Sequence, residues 1–471
     1  MNGRLPAGRF SLVFFCLSVG HGLGAQIFYF GADQSYVNEM EDCGAVYKEN
    51  GQAKDVYEIF EDHGCNIVRL RLWHTPDWYD DLNSGKRYSD YTDVAKSIAR
   101  AKDHSMSVLL DFHLSDNWAD PSKQLVPAAW LPVVDNLPVL QDSLYQYVYH
   151  TLKSLYKEGL LPEMVQIGNE TNKGILLSPE DNQTYTLDWT RNAALFNRAI
   201  EAVRDITNET GEEVQVALHM AGPADIEWFV DQFHQHGVTD FDIIALSYYW
   251  AWHKPTTIPQ TGEVIKRLKQ KYPEKHVMIV ETGYLWTTEN ADAAPNIINE
   301  QNPDYEPASP ENQKRWLVDL TTEVINQGGN GVVYWEPSWV STTCFNQWNQ
   351  GSHQDHATFF DFNDNLLIPG GIEWMEFDYD FPTAIKTQSH PYNVQVTFSQ
   401  RHMSIEVGEN LIQSNKELYY VIVDSLGQVW DRQRIVDKFI AKDYSELESG
   451  AYIITVYQGN RTLANRKNVI F

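Results

Sequence analysis

Two glutamates close short apolar segments, Glu170 in "MVQIGNE" and Glu281 in "VMIVETG". If both segments are strands of one parallel barrel, their carboxyl ends lie at the same face and the two carboxylates point into its mouth. A facing pair of carboxylates can hydrolyse a glycosidic bond, because one group protonates the leaving oxygen while the other attacks the anomeric carbon. We therefore expect Glu170 to be the acid/base and Glu281 the nucleophile, with a separation of about 5 to 5.5 Å and retention of configuration.

Polar residues close to this pair fit the same chemistry. Asn169 directly precedes Glu170. Its amide is expected to bind the sugar 2-hydroxyl, a contact that strengthens in an oxocarbenium-like transition state. His113 and His219 also end predicted strands. Each is a candidate for binding substrate or orienting the acids, and the alternative for each is a satisfied structural histidine.

The nucleophile needs partners that keep it ionised. A hydrogen-bond donor and a nearby guanidinium both favour the charged form of a carboxylate, and Tyr249 and Arg69 are the candidates beside Glu281. Arg71 lies two residues further along the same predicted strand, so it points to the same side and competes with Arg69. The arginine that does not contact Glu281 is expected to form a structural ion pair.

The elements that must position these residues are eight short runs rich in Val, Ile, Leu and Tyr, with helix-period segments between them. The runs are residues 27–33, 66–73, 107–115, 164–170, 213–220, 243–250, 277–283 and 331–337. Each turns polar or aromatic at its C-terminal end, at Asp33, Trp73, His113, Glu170, His219, Trp250, Glu281 and Trp335. Eight such units in residues 26–388 predict an α/β fold, the (β/α)8 TIM barrel, rather than a doubly wound sheet.

The C-terminal part of the chain has a different pattern. Residues 391–471 alternate short strands and turns without a helical period, which predicts a small all-β sandwich domain. Trp430 and the tyrosines of this part are either packed residues or a glycan-binding face.

Composition limits the class of partner. The chain has 43% hydrophobic residues and 13% aromatic residues, which excludes a disordered chain and provides many flat apolar faces suited to sugar rings. Its formal charge of −28 would repel nucleic acid and anionic lipid. We expect a monomer that binds neither nucleic acid nor, beyond the N-terminal segment, a membrane.

The N-terminal segment has the pattern of a signal peptide. Residues 1–25 contain Arg4 and Arg9, an apolar run and a small-residue ending before Gln26. Cys16 lies in the apolar run, but "VFFC" is a poor lipobox, which favours cleavage over a lipid anchor. We therefore expect an exported protein that is secreted, periplasmic or at the cell surface.

Three cysteines remain after residue 25, namely Cys43, Cys65 and Cys344. They are too few and too widely spaced for a disulfide framework or a zinc site. We expect buried free thiols or a single bridge.

The motifs around the predicted strand ends resemble glycoside hydrolase family 53, the endo-β-1,4-galactanases. The resemblance rests on "VRLRLWHTP", "DFHLSDNWADPSKQLVPAAW", "VQIGNET", "LSYYWAWH" and "IVETGY", and it covers residues 27 to about 385. It implies a clan A barrel that hydrolyses internal bonds of β-1,4-galactan in pectic (type I) arabinogalactan with retention. It also implies the acid/base role for Glu170 in "GNE" and the nucleophile role for Glu281 in "ETG".

The resemblance extends to candidate substrate-binding residues. The "DFHLSDNWADPSKQ" element implies a polysaccharide groove that includes Asp116, Trp118, Asp120, Lys123 and Gln124. Further tryptophans are candidate platforms for sugar rings, with core packing as the alternative for each. They are Trp250, Trp335 and Trp348.

Bacterial proteins of this family imply a structural calcium ion that joins the loops after strands seven and eight. The corresponding residues here are Asp292, Ala294, Asn296, Ser352 and Asp355. Oxygen ligands of these types suit Ca²⁺. Ala294 departs from the family pattern, which has His at this position, and offers only its backbone carbonyl.

Two other functions fit part of the sequence. A different clan A endo-glycanase, such as a β-mannanase or cellulase, shares the paired glutamates but not the "WADP" element. A non-catalytic surface glycan-binding protein would retain the barrel, but such proteins usually lose one catalytic acid, and both are present here.

Overall fold

The computed structural model describes residues 26–184 and 186–381. Further along it describes residues 385–387, 394–399, 401–408, 411–412, 418–424, 429–444, 447, 450–458 and 461–470. The predicted signal peptide, including Cys16, lies outside the described residues.

Strands alternate with helices through the first part of the chain. The strands there are β1 (Gln26–Asp33), β2 (Lys48–Glu49), β3 (Gln52–Ala53), β4 (Ile67–Leu72), β5 (Ser107–Phe112), β6 (Met164–Ile167), β7 (Gln215–Ala221), β8 (Ile243–Tyr248), β9 (His276–Thr282), β10 (Gly331–Tyr334) and β11 (Ile385–Thr387). The α-helices are α1 (Val37–Asp42), α2 (Val56–Asp62), α3 (Tyr91–Asp103), α4 (Leu137–Lys157), α5 (Trp189–Thr210), α6 (Ile226–Gln235), α7 (Trp250–His253), α8 (Ile258–Lys271) and α9 (Pro310–Asn326).

The parallel strands close into a barrel. Their order is β1-β4-β5-β6-β7-β8-β9-β10, and β10 pairs back onto β1 with Tyr29 opposite Gly331. Strand β11 pairs with the start of β1, outside the ring. The predicted (β/α)8 barrel is confirmed, and each predicted run overlaps one strand of the ring.

Side-chain caps start most of the long outer helices. The N-cap residue accepts a hydrogen bond from a backbone N–H of the first turn, which satisfies one of the free donors there. Such caps are Asp55 in α2, Asp90 in α3, Asp188 in α5, Thr257 in α8 and Ser309 in α9. These helices pack their apolar faces on the outside of the barrel in the main hydrophobic core.

The inside of the barrel is filled by a second apolar cluster to which every strand of the ring contributes. It contains Tyr29, Ile67, Leu109, Met164, Ala217, Ile243, Ala245, Met278, Val280 and Val333. Because side chains alternate along a strand, the residues two and four positions after Ile67 face the same interior, nearer the carboxyl end. These residues are Arg69 and Arg71, so the sequence places two arginines directly above an apolar plug.

The C-terminal part is all-β, as expected. Its strands are β12 (Val394–Ser399), β13 (His402–Val407), β14 (Leu418–Asp424), β15 (Val429–Arg434), β16 (Phe439–Asp443), β17 (Gly450–Gln458) and β18 (Arg461–Ile470). Within the described ranges they form the sheets β12-β13-β16 and β15-β14-β17-β18, and residues of both sheets share one buried cluster. The predicted boundary between residues 388 and 391 lies outside the described residues. Trp430 is 43% exposed and packs edge-on against Tyr452.

One disulfide links Cys43, after α1, to Cys344, after β10, and Cys65 is buried as a free thiol. This agrees with the single-bridge alternative. The bridge ties together two loops at the carboxyl-end face of the barrel. Among the described helices, none is both long enough and apolar enough to cross a bilayer.

Candidate active site

A buried polar layer lies directly above the apolar plug, with Arg69 at its centre. Its guanidinium contacts Asp33 at 2.8 Å and Asp111 at 2.9 Å. It also donates to the side-chain oxygens of Gln166 at 3.2 Å and Asn169 at 2.7 Å. Buried charges are tolerated when they are paired and hydrogen-bonded. The layer is therefore a rigid base on which the residues nearer the cleft are held.

The backbone around Glu170 explains the "GNE" sequence. Strand β6 ends at Ile167, and Gly168 then adopts a φ of 77°. A Cβ at Gly168 would lie 2.6 Å from the Thr171 side chain, so only glycine fits this turn. Glu170 itself has a φ of 46°, a left-handed conformation that is uncommon for glutamate and is found preferentially at functional sites.

A β-bulge orients Glu281. Met278 and Val280 of β9 both face the barrel interior, so regular alternation would point the next residue outwards. The pairing between β8 and β9 shifts at this point, because Leu246 lies opposite Ile279 but Ser247 lies opposite Glu281. The extra residue turns the Glu281 side chain towards the interior.

Glu170 and Glu281 face each other across the mouth of the barrel. One carboxylate oxygen of each lies within 4.8 Å of the other. This separation fits a retaining pair and is shorter than the roughly 6.5 to 9.5 Å that an inverting pair requires. Burial and repulsion from Glu281 raise the pKa of Glu170. Burial also raises the pKa of Glu281, but the Arg69 guanidinium and the Tyr249 hydroxyl favour its charged form.

The contacts of Glu281 distinguish the two arginines. The Tyr249 hydroxyl donates to Oε1 of Glu281 at 3.1 Å, and Nη1 of Arg69 lies 3.4 Å from Oε2. Arg71 instead pairs with Glu336 at 3.1 Å. Apart from this ion pair with Arg69, Oε2 of Glu281 is buried without a hydrogen-bond partner in the described part of the chain.

Aromatic rings border the cleft above the two acids. The cleft has a volume of about 730 Å³, and both glutamates and Asn169 line it. The tryptophans that line it, within the described residues, are Trp118, Trp252 and Trp335. Such rings offer flat faces for sugars.

Residues 29–369 match the sequence model of glycosyl hydrolase family 53. The chain belongs to this family. It is 47% identical to the arabinogalactan endo-β-1,4-galactanase of Cellvibrio japonicus (strain Ueda107) over 71% of this chain and 86% of that protein. It is 37% identical to the endo-β-1,4-galactanase of Bacillus subtilis (strain 168) over 66% of this chain and 70% of that protein. Family membership favours the expected enzyme class over a β-mannanase or cellulase.

A solved structure supports the same assignment. The Ignisphaera aggregans GH53 catalytic domain matches with a TM-score of 0.66 and 30% identity. The match covers 77% of this chain and 98% of that domain. The family 53 fold is therefore shared over nearly the whole of that domain.

Several predicted groove residues of this family 53 chain support the cleft rather than line it. Asp116 accepts from the backbone N–H groups of Thr75 at 2.9 Å and Ala128 at 2.7 Å, so it joins two loops. Gln124 is buried and donates to the backbone carbonyls of Asn169 at 2.8 Å and Glu170 at 3.2 Å. Both residues therefore hold the loops that form the cleft.

Other predicted residues lie below the cleft, in a neighbouring pocket or on a separate loop. His113 is buried and contacts Asp111 at 2.8 Å. Asp120 lines the cleft, whereas Lys123 lines an adjoining pocket. Trp348 is half exposed on the loop after β10.

The aromatic run "YYWAWH" contributes a different tryptophan to the cleft from the one expected. Trp250 is the first residue of the short helix α7, and the tryptophan of this helix that lines the cleft is Trp252, which is 49% exposed. Trp252 packs on Tyr249 with a ring-centroid distance of 4.5 Å. The sequence alone did not distinguish these two tryptophans, because the choice depends on where β8 ends and α7 begins.

Some of the residues considered for calcium lie together on the loops after β9 and β10. Oδ2 of Asp292 accepts from the backbone N–H of Ser352 at 2.7 Å and from the Ser341 hydroxyl at 2.6 Å. The Ser341 oxygen also lies 3.0 Å from Oδ2 of Asp355. One hydroxyl has a single hydrogen and cannot satisfy both carboxylates. Oδ1 of Asp355 is buried and has no hydrogen-bond partner among the described residues.

The remaining two residues of that set make other contacts. The Ala294 carbonyl accepts from the Asn290 side chain at 2.7 Å, and the Ala294 N–H donates to Asp292 at 2.7 Å. Asn296 lines the cleft, and its Oδ1, like Oδ1 of Asp355, is buried without a hydrogen-bond partner among the described residues. Of the predicted set, the residues joined by direct contacts or by the shared Ser341 hydroxyl are Asp292, Ser352 and Asp355.

Proposed function

We propose that this protein is a retaining endo-β-1,4-galactanase that acts as a monomer on pectic galactan, the type I arabinogalactan. The observation that carries the proposal is a pair of carboxylates within 4.8 Å in the cleft of a family 53 barrel. Relatives in this family that bear galactanase names share 47% and 37% identity with the chain.

The first chemical step forms a covalent bond to Glu281. Its carboxylate attacks the anomeric carbon, the glycosidic carbon–oxygen bond breaks, and Glu170 gives its proton to the leaving oxygen. Arg69 and Tyr249 keep the attacking carboxylate ionised, while burial and the neighbouring negative charge keep a proton on Glu170.

The second step releases the sugar. Glu170, now ionised, removes a proton from water, and the water oxygen attacks the anomeric carbon. The ester bond to Glu281 breaks and both side chains return to their initial protonation states. The sugar keeps its β configuration because each step inverts it once.

The cleft supports binding of a neutral chain of sugars. Trp118, Trp252 and Trp335 offer faces for rings, and Asn169 and Asp120 offer groups for hydroxyls. Trp118 is held from below by the Arg71 guanidinium, which lies 4.2 Å from the ring centroid. The cation fixes the angle of this ring in the cleft.

An activity screen tests the proposed substrate. The purified protein is incubated with linear β-1,4-galactan and, in parallel, with β-mannan, cellulose and xylan. We expect hydrolysis of galactan to be at least about 100-fold faster than that of the other polymers, because a polar site rejects wrongly placed hydroxyls. A preference for mannan or cellulose, or binding of galactan without cleavage, would contradict the proposal.

We also propose a structural calcium ion on the loops after β9 and β10. Oδ1 of Asp355 is buried without a hydrogen-bond partner among the described residues, and a second carboxylate lies close by, which leaves excess negative charge that a hard cation would neutralise. Asp292, Asp355 and Ser352 would hold it. Bound calcium would join two loops of the cleft rather than take part in the reaction.

Removal of calcium is expected to destabilise the protein. A chelator should lower the melting temperature by about 5 °C, and added Ca²⁺ should restore it, because the ion binds the folded state. The variant Asp292→Asn should lose most of this response. An unchanged melting curve after chelation would contradict the calcium site.

Export is proposed from the N-terminal sequence. Residues 1–25 have the charge and hydropathy pattern of a signal peptide. We expect the mature chain to begin at Gln26, which N-terminal sequencing of protein secreted by an expressing cell would check. A secreted chain that retains Met1 would contradict cleavage.

A further inference from the structure

A chain of hydrogen bonds links Glu170 to two side chains that project from the neighbouring strands β7 and β8. The Ser247 hydroxyl oxygen lies 2.6 Å from Oε1 of Glu170. Nε2 of His219 lies 2.8 Å from the same hydroxyl oxygen. Both residues are fully buried, so solvent does not compete for these contacts.

The backbone fixes the direction of this chain. The N–H of Glu170 points at Nδ1 of His219 at 3.3 Å, and the side-chain nitrogen of Gln166 lies 3.2 Å from the same atom. The two hydrogens of that Gln166 nitrogen have closer acceptors in Asp111 and the Gly168 carbonyl, but the Glu170 N–H can only donate, so Nδ1 accepts and the ring hydrogen lies on Nε2. Oδ1 of Asn169 also lies 3.0 Å from Nδ1, but a hydrogen on Nδ1 would collide with the Glu170 N–H that points at the same atom, so Oδ1 accepts from Arg69 instead. His219 therefore donates to Ser247, and the Ser247 hydroxyl donates to Glu170.

We propose that Ser247 is a positioning residue that reserves Oε1 of Glu170 as a hydrogen-bond acceptor and thereby places the catalytic proton on Oε2. This inference rests on the proposed glycosidase function. An acid has two oxygens, and only one can face the leaving group. With Oε1 held by the Ser247 hydroxyl, Oε2 carries the proton towards the substrate, and the carboxyl plane stays fixed in both chemical steps.

The same contact makes Glu170 more acidic than it would otherwise be. A hydroxyl that donates to a carboxylate stabilises the charged form, which opposes the effects of burial and of Glu281 on the pKa of Glu170. The other titratable or charged groups facing Glu170 are Glu281, Asp120, Arg69, Tyr249 and His219. His219 stays neutral, because burial and the Arg69 charge lower its pKa well below the ordinary value. Loss of the hydroxyl should therefore raise the pKa of Glu170.

The test compares Ser247→Ala with wild type on two substrates across pH. The basic limb of the kcat/KM profile reports the proton on the acid, and we expect it to move up by about one pH unit. At the optimum, kcat/KM on galactan should fall about 10- to 100-fold. On an aryl β-galactobioside with a good leaving group it should fall less than about threefold, because that bond needs little proton donation.

Two further variants separate positioning from a general packing defect. Ser247→Thr keeps a hydroxyl and should return the basic limb towards the wild-type pH. Ser97→Ala removes a buried serine hydroxyl from α3, which contacts Asn38, and should leave the pH profile unchanged. An unmoved basic limb in Ser247→Ala, or equal losses on both substrates, would overturn the inference. A wild-type protein that cleaves another glycan instead would refute the proposed substrate alone, and the Ser247 comparison would then be made on that glycan.

Discussion

Glu281→Gln is expected to lower kcat on linear β-1,4-galactan by on the order of 10⁵-fold, as loss of a nucleophile does in other covalent mechanisms. The amide has nearly the same shape as the carboxylate, but it cannot form the bond to the anomeric carbon. Binding should change only a few-fold, because Trp118, Trp252 and Trp335 still line the cleft. The measurements are steady-state kinetics and calorimetric titration with a galactan oligosaccharide.

Glu336→Gln is the matched control. Glu336 is also a buried glutamate just after a barrel strand, but it pairs with Arg71 and not with Glu170. Burial raises the pKa of Glu336 well above the ordinary value, and glutamine keeps the size of the side chain and an oxygen that can accept from Arg71. We expect activity within about tenfold of wild type, since no bond is made to this residue. Equal losses in the two variants, or wild-type turnover in Glu281→Gln, would contradict the assignment of the nucleophile.

The loss of kcat/KM caused by Glu170→Ala is expected to depend on the leaving group of the substrate. On galactan the loss of the general acid should lower kcat/KM by about 10² to 10⁴-fold. On an aryl galactobioside with a strongly acidic phenol, kcat/KM should fall less than about tenfold, because that leaving group departs without a proton. Breakdown of the covalent intermediate should become the slow step, since water then lacks its base.

Rescue by azide is a second test of the Glu170→Ala variant. Azide needs no general base, and alanine leaves space for it where the carboxylate stood. We expect azide to accelerate Glu170→Ala and to give the β-galactosyl azide, but to have no effect on wild type. Equal losses on both substrates, or an α-azide product, would contradict the acid/base role of Glu170.

The barrel was largely predictable from sequence because its strands are short, strongly apolar and evenly distributed along the chain. Each predicted run overlaps one strand, but several predicted C-terminal ends extend too far: β5 ends at Phe112 rather than at residue 115, and β6 ends at Ile167 rather than at residue 170. Residues such as His113 and Glu170 lie in the turns that follow. Apolar pattern fixes where a strand runs, whereas its end is fixed by local turns such as the one at Gly168.

The predicted barrel indicated where Glu170 and Glu281 lie, but it did not indicate all the side chains that contact them. Ser247 lies within the run "IIALSYYW" and has no sequence feature that marks it as a contact of Glu170. Its role arises from the bulge that places it opposite Glu281 and from its position next to β7, where the His219 side chain reaches its hydroxyl although its register partner is Ala221. A one-residue bulge within an apolar run cannot be recognised from the sequence pattern. Contacts between strands of this kind need three-dimensional information.

The choice between Arg69 and Arg71 shows the same limit. Both face the barrel interior, and the alternation of side chains treats them alike. They differ in height: Arg69 lies among Asp33, Asp111 and Asn169, within reach of Glu281. Arg71 lies against aromatic rings, including that of Trp118, and pairs with Glu336. Which of the two arginines is level with Glu281 depends on how β4 and β9 are staggered in the barrel, and the sequence does not show this stagger.

Trapping the covalent intermediate tests the central claim most directly. A 2-deoxy-2-fluoro-β-galactobioside with a good leaving group should label the wild-type protein once, because the fluorine slows hydrolysis of the glycosyl-enzyme more than its formation. Mass spectrometry of the digested protein is expected to find the adduct on the peptide that contains "VMIVETG", with the fragment ions placing it on Glu281. A label on any other residue, including Glu170, would contradict the account.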